Sequence, residues 1–568
     1  MTKRSVFTHP ALLWLLPLAF LIVFYFYPLG SVLTASFERG QAGAAMQLLQ
    51  VLASTSTRRI LAFTFGQAIL STLFTLAVGL PAAYLLARVD FRGKGLFQAL
   101  SGIPFVLPTL VVAAAFNALL GPRGWVNTLL VSLFDLPEPP IRFLNTFTAI
   151  IVAHVFYNTT IVLRMVGDFW AHLDPRISQA AQVLGANRRQ TLLRVTLPLL
   201  APAILAAALL IFIFDFTSFG VILVLGGPRF ATLEVEIYYQ TISLFNLPVA
   251  ATLALVQLLC TLGLTTIYSR LSANLARPLG LRPRRFTQRR LFDWRSRLGV
   301  ALLMGAISLF MIAPLAALAL RSVTRLEPAD SVGPSLQWTL DYYRELSMNR
   351  RESIFFAPPS TAIAVSLGYA AATVVLALGL GLPASWALAR DGSSRLNRLI
   401  DPIIMLPLGT SAVTLGLGFI LALDSPPLDL RASPILVPLA HTLVAFPFVV
   451  RSLTPALRSI RPRLRQAAAV MGASPRQVLR TIDLPLVGRA LLVAATFAFT
   501  ISIGEFGATA LIARPEYPTI PIAIYRYLGQ PGALNYGQAL ALSTILMGIT
   551  AGGMLAIEHL RIAEVGEF

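Results

Sequence analysis

One heptapeptide, Gln179-Ala-Ala-Gln-Val-Leu-Gly185, comes back as Gln466-Ala-Ala-Ala-Val-Met-Gly472, a separation of 287 residues. The Leu197-Pro198 that follows the first copy returns as Leu484-Pro485 at the same separation. So do His154 as His441, Arg164 as Arg451, Pro175 as Pro462, Phe219-Gly220 as Phe506-Gly507 and Tyr238 as Tyr525. A gap-free register over roughly eighty-five residues marks an internal duplication, and the chain must be read as two copies of one unit.

Each repeated stretch is polar and lies between long apolar segments. Asp174 before Pro175 is a helix start with proline at the first position. Ile177, Ala180, Ala181 and Leu184 then fall at i, i+3, i+4 and i+7, an apolar stripe on a short helix. Leu464, Ala467, Ala468 and Met471 repeat it. Gly185 and Gly472 follow where a helix end favours positive φ. Ser474-Pro475 restarts a helix in the second copy, and Leu-Pro is expected to end that piece. The pattern predicts helix, glycine elbow, helix, held outside a bilayer. Arg176, Arg188, Arg189 and Arg194 decorate the first elbow; Arg458, Arg461, Arg463, Arg465, Arg476 and Arg480 decorate the second. A single basic loop would only set topology, but two copies with the same apolar face point to a docking surface.

Composition names the solvent. With 56% hydrophobic and 12% charged residues and a mean hydropathy of +0.74, the chain falls in the membrane class. The net charge of +20 does not indicate nucleic acid, because the basic residues sit at span ends and in a linker. Cys260 is the only cysteine and lies in an apolar run, which excludes an intrachain disulfide and a cysteine metal site. Apolar runs predict spans near 11–37, 60–87, 97–120, 145–168, 200–225 and 248–269, then 298–320, 358–389, 400–423, 433–455, 487–512 and 537–557. The first is too long for a signal-peptide core. The expectation is an all-α membrane protein with twelve transmembrane helices in two tandem halves of six. Its parts are a first helix and outer loop at 1–59, a first transmembrane domain at 60–269, and a basic cytoplasmic linker at 270–296. A seventh helix and outer loop follow at 297–357, and a second transmembrane domain at 358–568. Arginine and lysine at Arg88, Arg92, Lys94, Arg390, Arg395 and Arg398, in the linker and in both elbows put those loops and both termini in the cytoplasm. Asp135, Glu138, Glu234, Glu236, Glu327, Asp330, Asp424 and Asp429 mark the outer side. The halves are then parallel repeats about an axis near the membrane normal. Gly79-Leu-Pro81 with Ala87-Arg88 and Gly381-Leu-Pro383 with Ala389-Arg390 match in a shifted register, as do Leu107-Pro108 and Leu406-Pro407. These intramembrane prolines are expected to kink their spans.

The elbow resembles the signature loop of the permease subunits of type I ABC importers. That loop has two small residues after an acidic one, a glycine five positions after the first of them, and Leu-Pro about a dozen further on. Both copies here carry Gln179 and Gln466 in place of the family's glutamate. The resemblance implies that Gln179, Ala180, Ala181, Leu184, Gly185, Leu197 and Pro198, with Gln466, Ala467, Ala468, Met471, Gly472, Leu484 and Pro485, couple the chain to two ATP-hydrolysing subunits. It implies a solute-binding protein at the outer face, a bacterial inner-membrane location, and ATP and Mg used by the partner alone. Two fused halves are similar to the thiamine and ferric-iron permeases. Leu225-Gly-Gly-Pro228, Thr232, Glu236, Ile237-Tyr238, Gln240, Ala250-Ala251 and Cys260 through Leu264 resemble the thiamine type, and Ile503-Gly-Glu-Phe-Gly507 resembles both.

No phosphate loop of the form Gly-x-x-x-x-Gly-Lys-Ser/Thr exists in the chain, so no ATP hydrolysis is expected of it. His9, His154, His172, His441 and His559 lack metal-ligand spacing, and His154 and His441 read as packing residues at the membrane interface. Intramembrane acids are costly, so Asp215 and Glu505 are the places to look for function. They are not repeat mates: Glu505 aligns with Ser218. Each either packs by a hydrogen bond or lines a translocation path for a cation, with Ser218, Tyr238 and Tyr525 as further path candidates. Two other classes stand against the importer. A secondary transporter would also have twelve spans in parallel halves but no docking elbow. A membrane enzyme would need a catalytic constellation, and none is visible.

Overall fold

The computed structural model describes residues 10–36, 51–275, 288–290, 293–326, 336–348, 358–390, 395–424, 426, 428–460 and 462–565. Lys3, Arg4, His9, Arg277, Arg282, Arg284, Arg285, Glu327, Asp330 and Arg461 lie outside the described residues. Among the described residues, eleven helices are long and apolar enough to cross a membrane, and one bent pair makes a twelfth. In order they are Leu13–Ala35, Thr55–Arg88, Thr109–Phe134, Phe147–His172, Arg188–Phe216, Leu247–Tyr268, Trp294–Ser322, Pro359–Ala389, the bent pair, Leu436–Ser459, Leu479–Gly504 and Ala533–Ala556. Almost all other structure is short helix, as a bilayer requires of a chain that must satisfy its own backbone.

Two expected spans are broken. Residues 97–120 form Lys94–Leu100 and Ile103–Val106, then restart as Thr109–Leu120 after extended Leu107. Residues 400–423 form Arg395–Gly409 and Ala412–Ala422, bent by 97°. Both breaks fall at or just after a Leu-Pro pair, where proline removes a donor and disfavours helix in the residue before it. Pro81 and Pro383, by contrast, sit inside continuous helices, Thr55–Arg88 and Pro359–Arg390.

The chain forms two compact units that do not coincide with its sequence halves. One comprises Leu52–Glu236 with Leu259–Tyr342. Its core joins the second, fourth, fifth and seventh spans through Ala83, Val162, Trp170, Ile211, Met304 and Met311. The Trp125 indole donates to the carbonyl of Ala317 on the seventh span at 3.3 Å. The other unit comprises Met1–Val51, Ile237–Leu258 and Tyr343–Phe568. Its core joins the eighth, tenth and eleventh spans through Ala377, Ala445, Val449, Leu453, Ala494 and Ala498. The first span packs here, with the Tyr25 hydroxyl 2.7 Å from that of Thr410. Thus each unit is completed by the opening span of the other half.

Lipid tails are as apolar as leucine, so helices in a bilayer associate by close packing at small residues. The shifted-register motif does this twice. A β-carbon on Gly79 would lie 2.7 Å from Cβ of Val162, so the second and fourth spans cross at the glycine. Gly381 meets Val449 in the same way on the eighth and tenth spans. Val162 and Val449 are themselves 287 apart.

Candidate functional site

The elbows form as two short helices around a left-handed glycine. In the first, the Asp174 carboxylate accepts the Arg176 N–H at 3.0 Å and opens the helix Pro175–Val183. Gly185 has φ +91°, and the Ala186 N–H closes the end on the Ala181 carbonyl at 3.0 Å. This is the six-to-one bond of a glycine-terminated helix. Asn187 and Gln190 then cap the next helix reciprocally, at 3.0 and 2.8 Å. The second copy repeats the design with Gly472 at φ +85°, Ala473 bonded to Ala468, and Ser474 paired with Gln477.

Most of the apolar stripe is left uncovered by the rest of the chain. Pro175–Val183 buries no residue at all. Val183 and Leu184 are 87% and 88% exposed, and Val470 and Met471 are 89% and 81% exposed. Gln179, Gln466, Ala180 and Ala467 are exposed too, while Ala181 is half-buried and Ala468 buried. Each elbow therefore presents a bare apolar tip at its glycine turn.

Leu197-Pro198 and Leu484-Pro485 do not end the second elbow helix, contrary to expectation. A wide turn, Leu192–Thr196 or Leu479–Asp483, precedes each pair. The Leu197 N–H bonds Leu192 O and the Leu484 N–H bonds Leu479 O, five residues back rather than four. That widened turn gives the proline ring room and absorbs its missing donor. Helix Arg188–Phe216 consequently runs 29 residues from the elbow to the far end of the fifth span. A repeat-equivalent pair also pins each elbow to its rod. Ser178 and Thr196 hydroxyls lie 3.4 Å apart, and Arg465 Nε donates to Asp483 at 2.7 Å.

The intramembrane acids each meet a histidine. In the first half, His154 Nδ1 lies 3.5 Å from Asp215 Oδ1, and its Nε2 is 2.8 Å from Ser218 Oγ. Asn158 donates to Asp215 at 2.7 Å, and the Ser71 hydroxyl faces the same carboxylate. In the second half, His441 Nδ1 is 2.8 Å from Ser502 Oγ, and its Nε2 is 3.3 Å from Glu505. Glu505 also accepts the N–H groups of Ala508 and Thr509 at 2.8 and 3.1 Å, and the Thr509 hydroxyl, so it caps the helix Thr509–Ile512. His154 and His441 are both buried among the helices. Position 215 corresponds to 502 and 218 to 505. Each histidine thus faces one acid and one serine, in opposite order. The histidine match was visible in the sequence, but not its partners, because neither acid aligns with the other.

Tyr238 and Tyr525 come together: the two phenols hydrogen-bond each other. The Phe506 ring lies 5.5 Å from that of Tyr525, and Tyr239 lies 5.9 Å from Tyr238.

A polytopic helical chain with two like halves, each carrying a broken span and an exposed elbow on a long rod, is a membrane transport subunit. Residues 76–279 and 381–562 match the family described as binding-protein-dependent transport system inner membrane component. The chain belongs to this family, the permease subunits of ABC importers. It is 28% identical over 493 residues to the thiamine transport system permease protein ThiP of Escherichia coli (strain K12), covering 84% of this chain and 85% of that one. It is 27% identical over 542 residues to the protein of that name from Brucella abortus (strain 2308), covering 94% and 92%. A probable ABC transporter permease protein of Sinorhizobium fredii is 26% identical over 560 residues, covering 96% and 95%.

Proposed function

We propose that this chain is the whole membrane pore of a thiamine importer, driven by two separate ATPase subunits docked on its elbows. The observation that carries the docking is the bare apolar tip, Val183-Leu184 and Val470-Met471, repeated on two rods that enter the membrane unbroken. Apolar side chains held in water at a rigid turn mark a surface meant to be covered. ATP and Mg belong to the partner. Its closure pushes the elbows, and the rods carry the movement into the fifth and eleventh spans. Both elbows and both termini lie in the cytoplasm, and a solute-binding protein delivers cargo at the opposite face. The thiamine reading rests on full-length relatives that carry that name.

The test is uptake. The chain, reconstituted with its co-purifying ATPase and binding protein, is expected to accumulate labelled thiamine only with ATP inside reach of the elbows. Ferric ion serves as the competing cargo. Uptake of thiamine without ATP would return the secondary-transporter reading; uptake of iron and not thiamine would replace the substrate.

A further inference from the structure

We propose that Arg465 is a positioning residue that locks the second elbow to its rod, so that the second elbow passes on the ATPase's movement stiffly while the first yields. This rests on the docking reading above and adds an inequality between the two elbows. Arg465 stands at the repeat position of Ser178, and Asp483 at that of Thr196. The duplication has kept one contact between the elbow helix and the widened turn at the foot of the rod, and has changed its chemistry.

In the second half the contact is ionic. Arg465 Nε donates to Asp483 Oδ1 at 2.7 Å, the length of a charge-assisted hydrogen bond. The Asp483 side chain is only 4% exposed. A buried carboxylate stripped of its cation is costly. The elbow helix Pro462–Val470 therefore cannot swing off the turn Leu479–Asp483 without stranding that charge. The guanidinium also lies 5.8 Å from the centroid of the Trp386 ring. Arginine's flat head can bond a carboxylate at its edge and stack on an aromatic face. Trp386 belongs to the eighth span, Pro359–Arg390, and packs against the core that joins the eighth, tenth and eleventh spans. One side chain thus ties the elbow to its rod and to a second span.

In the first half the same positions hold two hydroxyls 3.4 Å apart, longer than an ordinary O–H···O bond. Parting them strands no charge, and a threonine hydroxyl can turn to a carbonyl of its own helix. The shifted register that pairs Gly79 with Gly381 sets Tyr84 at the place of Trp386. Tyr84 lies against Trp170 of the fourth span, with 5.2 Å between ring centroids. With serine at 178, the matching elbow position offers that ring no guanidinium.

The test copies the first tie into the second elbow, as Arg465→Ser with Asp483→Thr. The first half shows that this pair fits the fold, and the variant leaves no buried charge unpaired. The chain is assembled with its co-purifying ATPase and binding protein. The melting temperature, the affinity for the ATPase and the thiamine taken up per ATP hydrolysed are all read. The first two should stay near wild type, because the exposed tip Val470-Met471 is untouched. Uptake per ATP should fall about tenfold, the change that loss of one charge-assisted hydrogen bond gives. Ser178→Ala with Thr196→Ala should lower it about twofold at most. An undiminished ratio in the copied variant overturns the lock, and equal falls in the two elbows overturn the inequality. A melting temperature that falls with the ratio makes Arg465 a folding residue and overturns both. If the copied pair does not fold, Arg465→Gln keeps a donor for Asp483 and drops the charge; an unchanged ratio there also overturns the lock. If the wild type takes up no thiamine while its ATPase responds to the binding protein, the substrate reading falls alone, and that stimulation of hydrolysis becomes the coupling readout. If the ATPase does not bind the wild-type chain, the docking reading falls and the lock with it.

Discussion

Truncating the elbow tips should weaken ATPase binding without touching the fold. Leu184 is 88% exposed and Met471 81% exposed, so neither side chain supports this chain's own packing. Leu184→Ala or Met471→Ala should therefore change the stability of the isolated chain by less than about 0.5 kcal/mol. In the docked complex the account reverses. A side chain of this size, buried against a partner cleft, contributes about 1.5–3 kcal/mol, and cutting it to alanine removes about 2 kcal/mol of that. Each single variant should bind the ATPase about thirtyfold more weakly. The tips belong to separate elbows, each meeting its own ATPase subunit, so in the double variant binding of the ATPase pair should lose close to the sum, about a thousandfold. The measurement is a titration of purified ATPase onto the chain in nanodiscs, with a melting curve of each variant alongside. Unchanged affinity together with an unchanged melting temperature would refute the docking argument. Lowered affinity with a lowered melting temperature would show that the tips serve the fold instead.

Four further outcomes follow from the geometry. Gly185→Val or Gly472→Val meets no neighbour within 4 Å but places a branched residue at φ +91° or +85°; the strain, about 1–3 kcal/mol, should distort the elbow and stop uptake while membrane insertion persists. Gly79→Ala should cost about 1–3 kcal/mol in a melting assay through the clash with Val162, whereas Gly379→Ala, with open space around it, should cost almost nothing. Glu505→Ala strips acceptors from two N–H groups, a hydroxyl and His441, and should lower stability by about 2–4 kcal/mol, read as a fall in melting temperature. Gln179→Glu should leave uptake near wild type, because the side chain is exposed and takes no part in the packing of the chain; a well-folded, inactive variant would show that the amide itself is needed.

The elbows were largely legible because their signals are local. Proline after Asp174, glycine at position 185 and the apolar spacing each act within a few residues. What the spacing could not say is which way the stripe faces, since a stripe that packs and a stripe that docks have the same period. The role of Leu-Pro was misread for a related reason. Proline forbids a normal turn, but the chain inserted one extra residue and kept the helix. At Leu107-Pro108 and Leu406-Pro407 the same dipeptide did break the helix, and only the surrounding turn distinguishes the cases. The exchange of opening spans between halves had no local signature. It depends on pairs such as Tyr25 with Thr410 and Trp125 with Ala317, which lie 385 and 192 residues apart.

The paired histidines show how a duplicated site can drift without losing its chemistry. A buried carboxylate in a bilayer must be met by donors. In the second half Glu505 stands just past the helix end, where two free N–H groups cap it. In the first half the acid sits three residues earlier, still within the helix, and no free N–H points at it; Asn158 and His154 serve instead. Serine takes whichever position the acid leaves. Moving the acid of the first half to the second half's position, with Asp215→Ser and Ser218→Glu together, should restore stability lost in Asp215→Ser alone, because the following residues offer the same capping N–H groups. If the double variant melts no higher than Asp215→Ser, the two arrangements are not interchangeable, and the acid of the first half answers to something other than its histidine.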